Sequence, residues 1–434
     1  MIRQFFRQAW TMMKQHKLFT GMYIAGTAIS IAMAMAVIIT LYIKLGPVYP
    51  EYNRGRMLSF VWIQEFHKTD NYSEFGGATQ QFVDAIRKEA KHIDKMCIRL
   101  RTTQDEHLIT NVKNNTDTAE ELEYVNSEFW HFFDFRFIHG RAFTEHEEQE
   151  PVAVITTTLA DKLFARHDVS GEYVSIGSTS HRIVGVVEPA ATGIKSGYTS
   201  GNIWVPAYYY VDKLQNKDKE IIGNKLIFML AKSAHEVDAL KNEIKEIFNK
   251  YVQQFSGYDD SEFHLSLIKH WEDAFQLYEV FGKGGSSLFD GIAKYLYAIL
   301  AFLFIPALNL CGMISTRMNS RLDEIGVRRA YGATTRQIIS QVLYENLLLT
   351  FAGAILGLIL SYLLIAGGYN WILTLLDKGI HQQPASALTM EMLLNPTIIL
   401  IVLLVTVVLN IASALVPTVL ALRSNIIESL YNRR

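Results

Sequence analysis

Three groups of residues carry types that could do chemistry. Gly282-Lys283-Gly284-Gly285-Ser286-Ser287 offers flexible backbone N–H groups and an ammonium, the parts of a phosphate cradle. A phosphate loop needs its lysine after the second glycine, between a strand and a helix. Here the lysine precedes the glycine pair, which disfavours a nucleotide at this place. His131, His139 and His146, with Asp134 and Glu145, supply metal-ligand types. Their spacing follows no ligand pattern, and Glu145 to Glu148 reads more simply as a solvated turn. No G-x-S-x-G elbow and no H-E-x-x-H pair occurs in the sequence. Cys97 and Cys311 make neither a disulfide framework nor a zinc spacing. The expectation is a chain that is not an enzyme, with no catalytic, cofactor-binding or metal site.

The third group runs from Arg321 to Arg336 and reads as machinery rather than catalysis. Charged residues at helical spacing lead to Tyr331-Gly332-Ala333, where glycine permits a tight turn. A second helix then starts near Thr334 or Thr335, either of which can cap it. Physics alone leaves two readings: a lever gripped by a cytoplasmic partner, or a solvated connector whose arginines fix topology.

The elements that must position this segment are set by where charge is missing. Only 19% of the 434 residues are charged, against about 25% in soluble proteins. Four stretches, 18 to 43, 295 to 316, 346 to 376 and 392 to 422, contain no Asp, Glu, Lys or Arg. Each exceeds the roughly 20 helical residues needed to cross a hydrocarbon layer. The first is too long for the apolar region of a signal peptide, so it is expected to remain as a span. A net charge of −2 leaves no electrostatic footprint for nucleic acid. Arg3, Arg7, Lys14 and Lys17 precede the first span, five arginines lie between 317 and 336, and Arg423, Arg433 and Arg434 follow the last. The positive-inside rule then puts both termini and this segment in the cytoplasm, and residues 44 to 290 outside.

The outer segment has its own pattern. Gln81 to Lys91 and Ser233 to Tyr251 carry apolar residues at three- and four-residue spacing, as in Val237, Leu240, Ile244, Ile247 and Tyr251. Short apolar runs at Val152 to Ile155, Tyr173 to Ile176, Arg182 to Val187 and Asn202 to Val205 read as strands. An α+β domain follows. At the N-terminus, Phe6, Trp10 and Met13 lie opposite Arg7 and Lys14, which describes an amphipathic helix at the interface.

Asp323-Glu324-Ile325-Gly326-Val327-Arg328-Arg329-Ala330-Tyr331-Gly332-Ala333, running on to Gln341 and Glu345, closely resembles the signature of the FtsX-like permeases, the membrane subunits of MacB-type ABC transporters. Tyr331 stands where many relatives carry a small aliphatic residue. Phe129-Trp130 to Phe135, Gly140-Arg141-Ala142-Phe143, Val152 to Ile155 and Ile183 to Val187 resemble, in order, the MacB-like extracytoplasmic core domain. The resemblance implies four transmembrane helices and a large α+β extracytoplasmic domain. It also implies a coupling segment in which Glu324, Gly326, Arg328, Arg329, Gly332 and Ala333 form or shape the contact with an ABC ATPase.

The expected layout is an interfacial helix over 1–17, spans over 18–43, 291–316, 346–366 and 395–422, and an outer domain over 44–290 with an inner lobe near 115–205. A cytoplasmic coupling segment over 317–345, a short external loop over 367–394 and a cytoplasmic tail over 423–434 complete it. Because the sequence holds no Walker motif, the resemblance implies an ATPase on a separate polypeptide, which would carry ATP and Mg. A homodimer or a heterodimer with a related permease is expected, in a bacterial inner membrane. A periplasmic adaptor or outer-membrane channel is a further candidate partner. Two functions share every motif. One is export or extrusion of a peptide, lipoprotein or drug-like substrate, and the other is a non-transporting transmembrane signal that activates an envelope protein.

Overall fold

The computed structural model describes residues 17–69, 72–101, 106–190, 199, 201–210, 221–255, 258, 260–275, 293, 295–298, 300–301, 304, 326–327, 331–376 and 396–423. The chain divides into an outer unit over Ile43–Gly291 with Gln383–Ala387, and a second unit made of the remaining residues.

The outer unit contains twelve strands among its described residues, joined in one sheet. Its first half is built from β1 (Met57–His67), β3 (Ile93–Leu100), β11 (Lys225–Ala231) and β12 (Ser261–Lys269), which lie side by side in the order β3-β11-β1-β12. All three pairings are antiparallel. Helix α2 (Gln80–Glu89) carries the chain from β1 and the short β2 (Tyr72–Gly76) to β3, and helix α6 (Val237–Val252) carries it from β11 to β12. Each helix thus crosses over one strand to reach a parallel partner, the split β-α-β arrangement of ferredoxin-like folds.

Both helices form for reasons visible in their residues. Thr79 caps α2 by accepting from the backbone N–H of Phe82, and Phe82, Val83 and Ile86 turn one face inward. In α6 the spaced residues Val237, Leu240, Ile244, Ile247 and Tyr251 are all buried, as their periodicity predicts. These faces meet Leu58, Phe60, Ile63, Ile227 and Met229 of the sheet in one core. Burying each such side chain contributes about 1.5–3 kcal/mol.

Between β3 and β11 the chain inserts a second lobe. Its strands are β4 (Glu106–Asn111), β5 (Asp117–Val125), β6 (Phe137–Gly140), β7 (Val152–Thr156), β8 (Tyr173–Ile176), β9 (Thr179–Val187) and β10 (Ile203–Pro206). Six of them pair in a ring, β10-β7-β9-β8-β4-β5, which closes because β5 also pairs with β10. Closure leaves each of the six with at least two neighbours, which removes open edges. Leu159, Ala160 and Leu163 of α4 (Thr157–Phe164) join Ile109, Ile155, Ile183 and Val205 in its core. The short α3 (Phe129–Phe132) and α5 (Ala207–Tyr210) also belong to this lobe. A separate aromatic core gathers Trp130, Trp204, Phe129, Phe133, Phe135 and Phe143, with Trp130 and Trp204 ring centroids 5.7 Å apart. The strands expected from the apolar runs at 152, 173, 182 and 202 coincide with β7, β8, β9 and β10.

The chain enters the outer unit from α1 (Lys17–Leu45) and leaves β12 through α7 (His270–Ala274). The second unit holds most of α1, with α8 (Thr335–Leu376) and α9 (Pro396–Arg423). Among the described residues, two helical stretches are long and apolar enough to cross a membrane, Thr20–Ile39 and Thr335–Leu364, and Ile399–Leu415 is a shorter apolar one. Of the interfacial helix expected over 1–17 and the tail expected over 423–434, residues 1–16 and 424–434 lie outside the described residues, as does most of the expected second span.

Two boundaries differ from the sequence reading. The second helix of the coupling segment and the third apolar run are one unbroken helix of 42 residues. The expected external loop from 367 is still helical through Leu376. The reason is the same in both places: no proline interrupts 335 to 376, so nothing removes a backbone hydrogen bond where charge gives way to apolar residues.

Candidate functional site

The candidate site is the turn that starts α8. Gly326 and Val327 are helical, and the backbone N–H of Tyr331 donates to the carbonyl of Val327 at 3.1 Å. Gly332 follows with φ +90, in the left-handed region, and a Cβ there would meet nothing within 4 Å. Glycine is thus required by backbone conformation and not by crowding. Ala333 leads to Thr334, which caps α8 in a reciprocal pair. The backbone N–H of Gln337 donates to Thr334 Oγ1 at 3.4 Å, and the N–H of Thr334 donates to Gln337 Oε1 at 2.9 Å. Such a capping box satisfies two backbone donors at once. Of the two threonines proposed for the cap, Thr334 is the one that serves.

The exposed groups around this turn are unusual for their chemistry. Tyr331 is 90% exposed and Val327 58%. An aromatic ring held out on a glycine turn at a helix start offers a partner apolar area. Of the residues expected to make the coupling contact, Gly326, Gly332 and Ala333 fall within the described residues, whereas Glu324, Arg328 and Arg329 lie outside them.

Below the turn, α8 is gripped on one face. Ile338, Val342, Glu345, Asn346 and Leu349 are buried, at spacings of three and four. Gln341 Nε2 donates to Glu345 Oε1 at 3.1 Å, one turn on. Farther along, Tyr23 of α1 shares a hydrogen bond of 3.3 Å with Thr350. Gly353 and Gly357 lie directly against α1: a Cβ at Gly353 would come 2.8 Å from Thr27 Cβ, and one at Gly357 2.8 Å from Ile31 Cβ. Small residues four apart let two backbones approach closely, the usual device of membrane helix pairs. In the sequence the signal for this contact is the Gly353-x-x-x-Gly357 spacing, which local periodicity does not single out.

The histidines considered as metal ligands are not brought together. His131 lies on α3, His139 on β6, and His146 in the turn at Glu145–Glu147. His139 Nδ1 faces Asp168 at 3.9 Å, and among the described residues no group of three or more His, Cys, Asp or Glu side chains is placed to hold a metal ion. The glycine-rich stretch from 282 to 287 lies outside the described residues.

Residues 20–247 match the family model of the MacB-like periplasmic core domain, and residues 296–426 match that of the FtsX-like permease C-terminal domain. Two similar relatives carry the name macrolide export ATP-binding/permease protein MacB. The one from Bdellovibrio bacteriovorus is 26% identical over 54% of this chain and 35% of its own length. The one from Nitrobacter winogradskyi is 22% identical over 83% of this chain and 52% of its own. A third relative, named uncharacterized ABC transporter permease YknZ, from Bacillus subtilis, is 23% identical over 57% of each chain. The chain therefore spans between about a third and somewhat over half of the length of these relatives.

Proposed function

The chain belongs to the MacB/FtsX family of ABC transporter permeases, and from that premise we propose that it carries force between an ABC ATPase in the cytoplasm and its own extracytoplasmic domain. The family's permeases are inner-membrane proteins. In this reading both termini and the 317–345 segment are cytoplasmic, four spans cross the membrane, and two copies or two related permeases pair. The ATPase supplies ATP and Mg. Closure of two ATPase partners around ATP pulls on the coupling segment, and the spans pass the displacement outward.

One observation supports the coupling role above the others. The capped turn at Gly332 to Thr334 opens directly into a single 42-residue helix that continues as an apolar span. A rod without a joint transmits displacement applied at its end, whereas a solvated connector followed by a separate span would absorb it. Tyr331 at the tip gives the partner something to hold, and Glu324, Arg328 and Arg329 supply complementary charge. The proposed cargo is a peptide, lipoprotein or drug-like molecule exported or extruded on the outer face, in keeping with the macrolide-export names of the relatives.

The test is co-purification with the cognate ATPase. Replacing Gly332 with tryptophan, or Arg328 and Arg329 with glutamate, should abolish co-purification while membrane insertion stays intact. Wild-type recovery of the ATPase with both variants overturns the coupling assignment. Stimulation of ATPase activity by candidate cargo in reconstituted membranes then separates transport from signalling.

A further inference from the structure

The point where α1 enters the outer domain holds a cluster of ionisable groups of a kind the sequence gives no hint of. Lys44, in the last turn of α1, is only 4% exposed. Its Nζ donates to the carbonyl of Ala274, the last residue of α7, at 3.1 Å. In return His270 Nε2 lies 2.9 Å from the carbonyl of Lys44. A carbonyl oxygen only accepts, so His270 is the tautomer protonated on Nε2. The two segments therefore hold each other by reciprocal bonds.

A second ring of contacts locks the first. Arg54 Nε pairs with Glu51 at 2.9 Å, with both side chains almost wholly buried, and Arg54 Nη1 donates to the carbonyl of Gly46 at 3.0 Å. The other Glu51 oxygen accepts from Thr199 Oγ1 at 2.6 Å. Asp273, on α7, is also buried. Burial pushes the Glu51 carboxyl up, but Arg54, with the Thr199 hydroxyl and with His270 once acid has protonated it, outweighs burial and holds it below the usual range. Burial and the positive charge of Arg54 push His270 down, so its ring is neutral near pH 7. A buried ion pair, Glu51 with Arg54, thus lies close to the neutral His270 ring, and the Lys44 ammonium caps the end of α7.

Buried ion clusters are a costly way to stabilise a fold, and apolar groups of the same volume often do it as well. What such a cluster does provide is one fixed geometry, because every partner must be in place. Its location says which geometry. Lys44 to Arg54 is the outgoing chain, three residues before β1 begins at Met57, and His270 to Ala274 is the returning chain, directly after β12 ends at Lys269. Leu58 and Lys269 face each other in the β1–β12 pairing, so the cluster sits where both strands end.

We propose that Lys44, Glu51, Arg54, Thr199 and His270 form a clamp that fastens the outgoing and returning chain into one body, delivering displacement of α1 to the β1–β12 pair. The clamp residues are positioning residues in the coupling, and this inference rests on the permease reading given above.

The experiment is hydrogen exchange on the full chain with its ATPase in lipid nanodiscs, with and without ATP and vanadate. In the wild type, nucleotide should change exchange in residues 44–56 and in 261–275 together. In Glu51→Gln the change in 261–275 should fall at least fivefold while that in 44–50 persists. The charge-swapped pair Glu51→Arg with Arg54→Glu should recover at least half of it. His270→Ala, which leaves the Glu51–Arg54 pair intact, should lower the change about twofold, and it decides the matter if Glu51→Gln loosens the whole domain. A wild-type nucleotide response at 261–275 in Glu51→Gln, or in His270→Ala where Glu51→Gln does not fold, overturns the clamp. A wild-type protein in which nucleotide changes neither segment overturns the force-carrying role proposed for the permease instead.

Discussion

The turn at Gly332 and the base of the outer domain are both places where the chain changes direction beside a long helix, and they treat polar groups in opposite ways. At the turn, Tyr331, Gly332 and Thr334 face solvent, and the backbone is held by a local cap. At the base, Glu51 and Arg54 are buried as a pair, Thr199 donates to Glu51, and Lys44 is tied to residues as far away in sequence as His270 and Ala274. The first arrangement leaves a surface free to be gripped, at little cost to the fold. The second fixes a geometry and gives up freedom. A force-carrying chain needs one of each, a handle and a fastening.

The sharpest way to break this comparison is to make the same change at both ends. Arg54→Leu leaves the Glu51 carboxylate buried without a counter-ion and should cost about 3–5 kcal/mol, seen in denaturant unfolding followed by tryptophan fluorescence. Arg336→Leu, at an exposed position in the first turn of α8, should stay within about 0.5 kcal/mol. Equal losses would mean that burial does not separate the two regions.

Acid should act on the base in the same sense. His270 has a lowered pKa when folded, so below its ordinary value of about 6.5 the unfolded chain takes up a proton that the folded one refuses. Glu51 is also lowered, so its stabilisation is complete above the ordinary carboxylate range and is lost as pH falls through that range. Stability should therefore decline from pH 6.5 downward, approaching about 1.4 kcal/mol per pH unit for each proton taken up by the unfolded chain alone. Glu147, held at about 2 chiefly by its Arg141 hydrogen bond, adds to the decline below about pH 4.5. In His270→Ala the part of the slope nearest pH 6 should flatten, measured by thermal unfolding across a pH series.

Smaller effects are expected at the handle. Thr334→Ala removes half of the capping box and should cost about 1 kcal/mol, confined to faster amide exchange over 335–338. Gly332→Ala places a Cβ in open space but in the left-handed region, for about 1 kcal/mol. Tyr331→Ala, on a ring 90% exposed, should leave stability unchanged and weaken only ATPase co-purification. A stability loss there would turn the handle into a structural turn.

Legibility in the sequence followed the range of the interactions. Helix α6 was readable because Val237, Leu240, Ile244 and Ile247 carry their own period, and β7 and β8 because short apolar runs end at polar turns. The turn before α8 was readable because glycine and threonine act on neighbours one to three residues away. An inner lobe near 115–205 was expected, but the closure of its six strands into a ring was not readable, because it depends on β5 meeting β10 about eighty residues later. Nor was the clamp. Lys44, Glu51 and Arg54 look like ordinary charges flanking a span, and their partners lie near 199 and 270.

The sequence by itself determined where apolar and charged material lie, which segments are helical or extended, and where a glycine turn precedes α8, since these follow from local periodicity and backbone chemistry. The tertiary structure alone decided that the third apolar run and its charged lead-in are one rod, that α1 and α8 touch through Gly353 and Gly357, and that five polar residues from three distant segments share one buried site. Those outcomes depend on which surfaces exclude water together, and no local pattern records that.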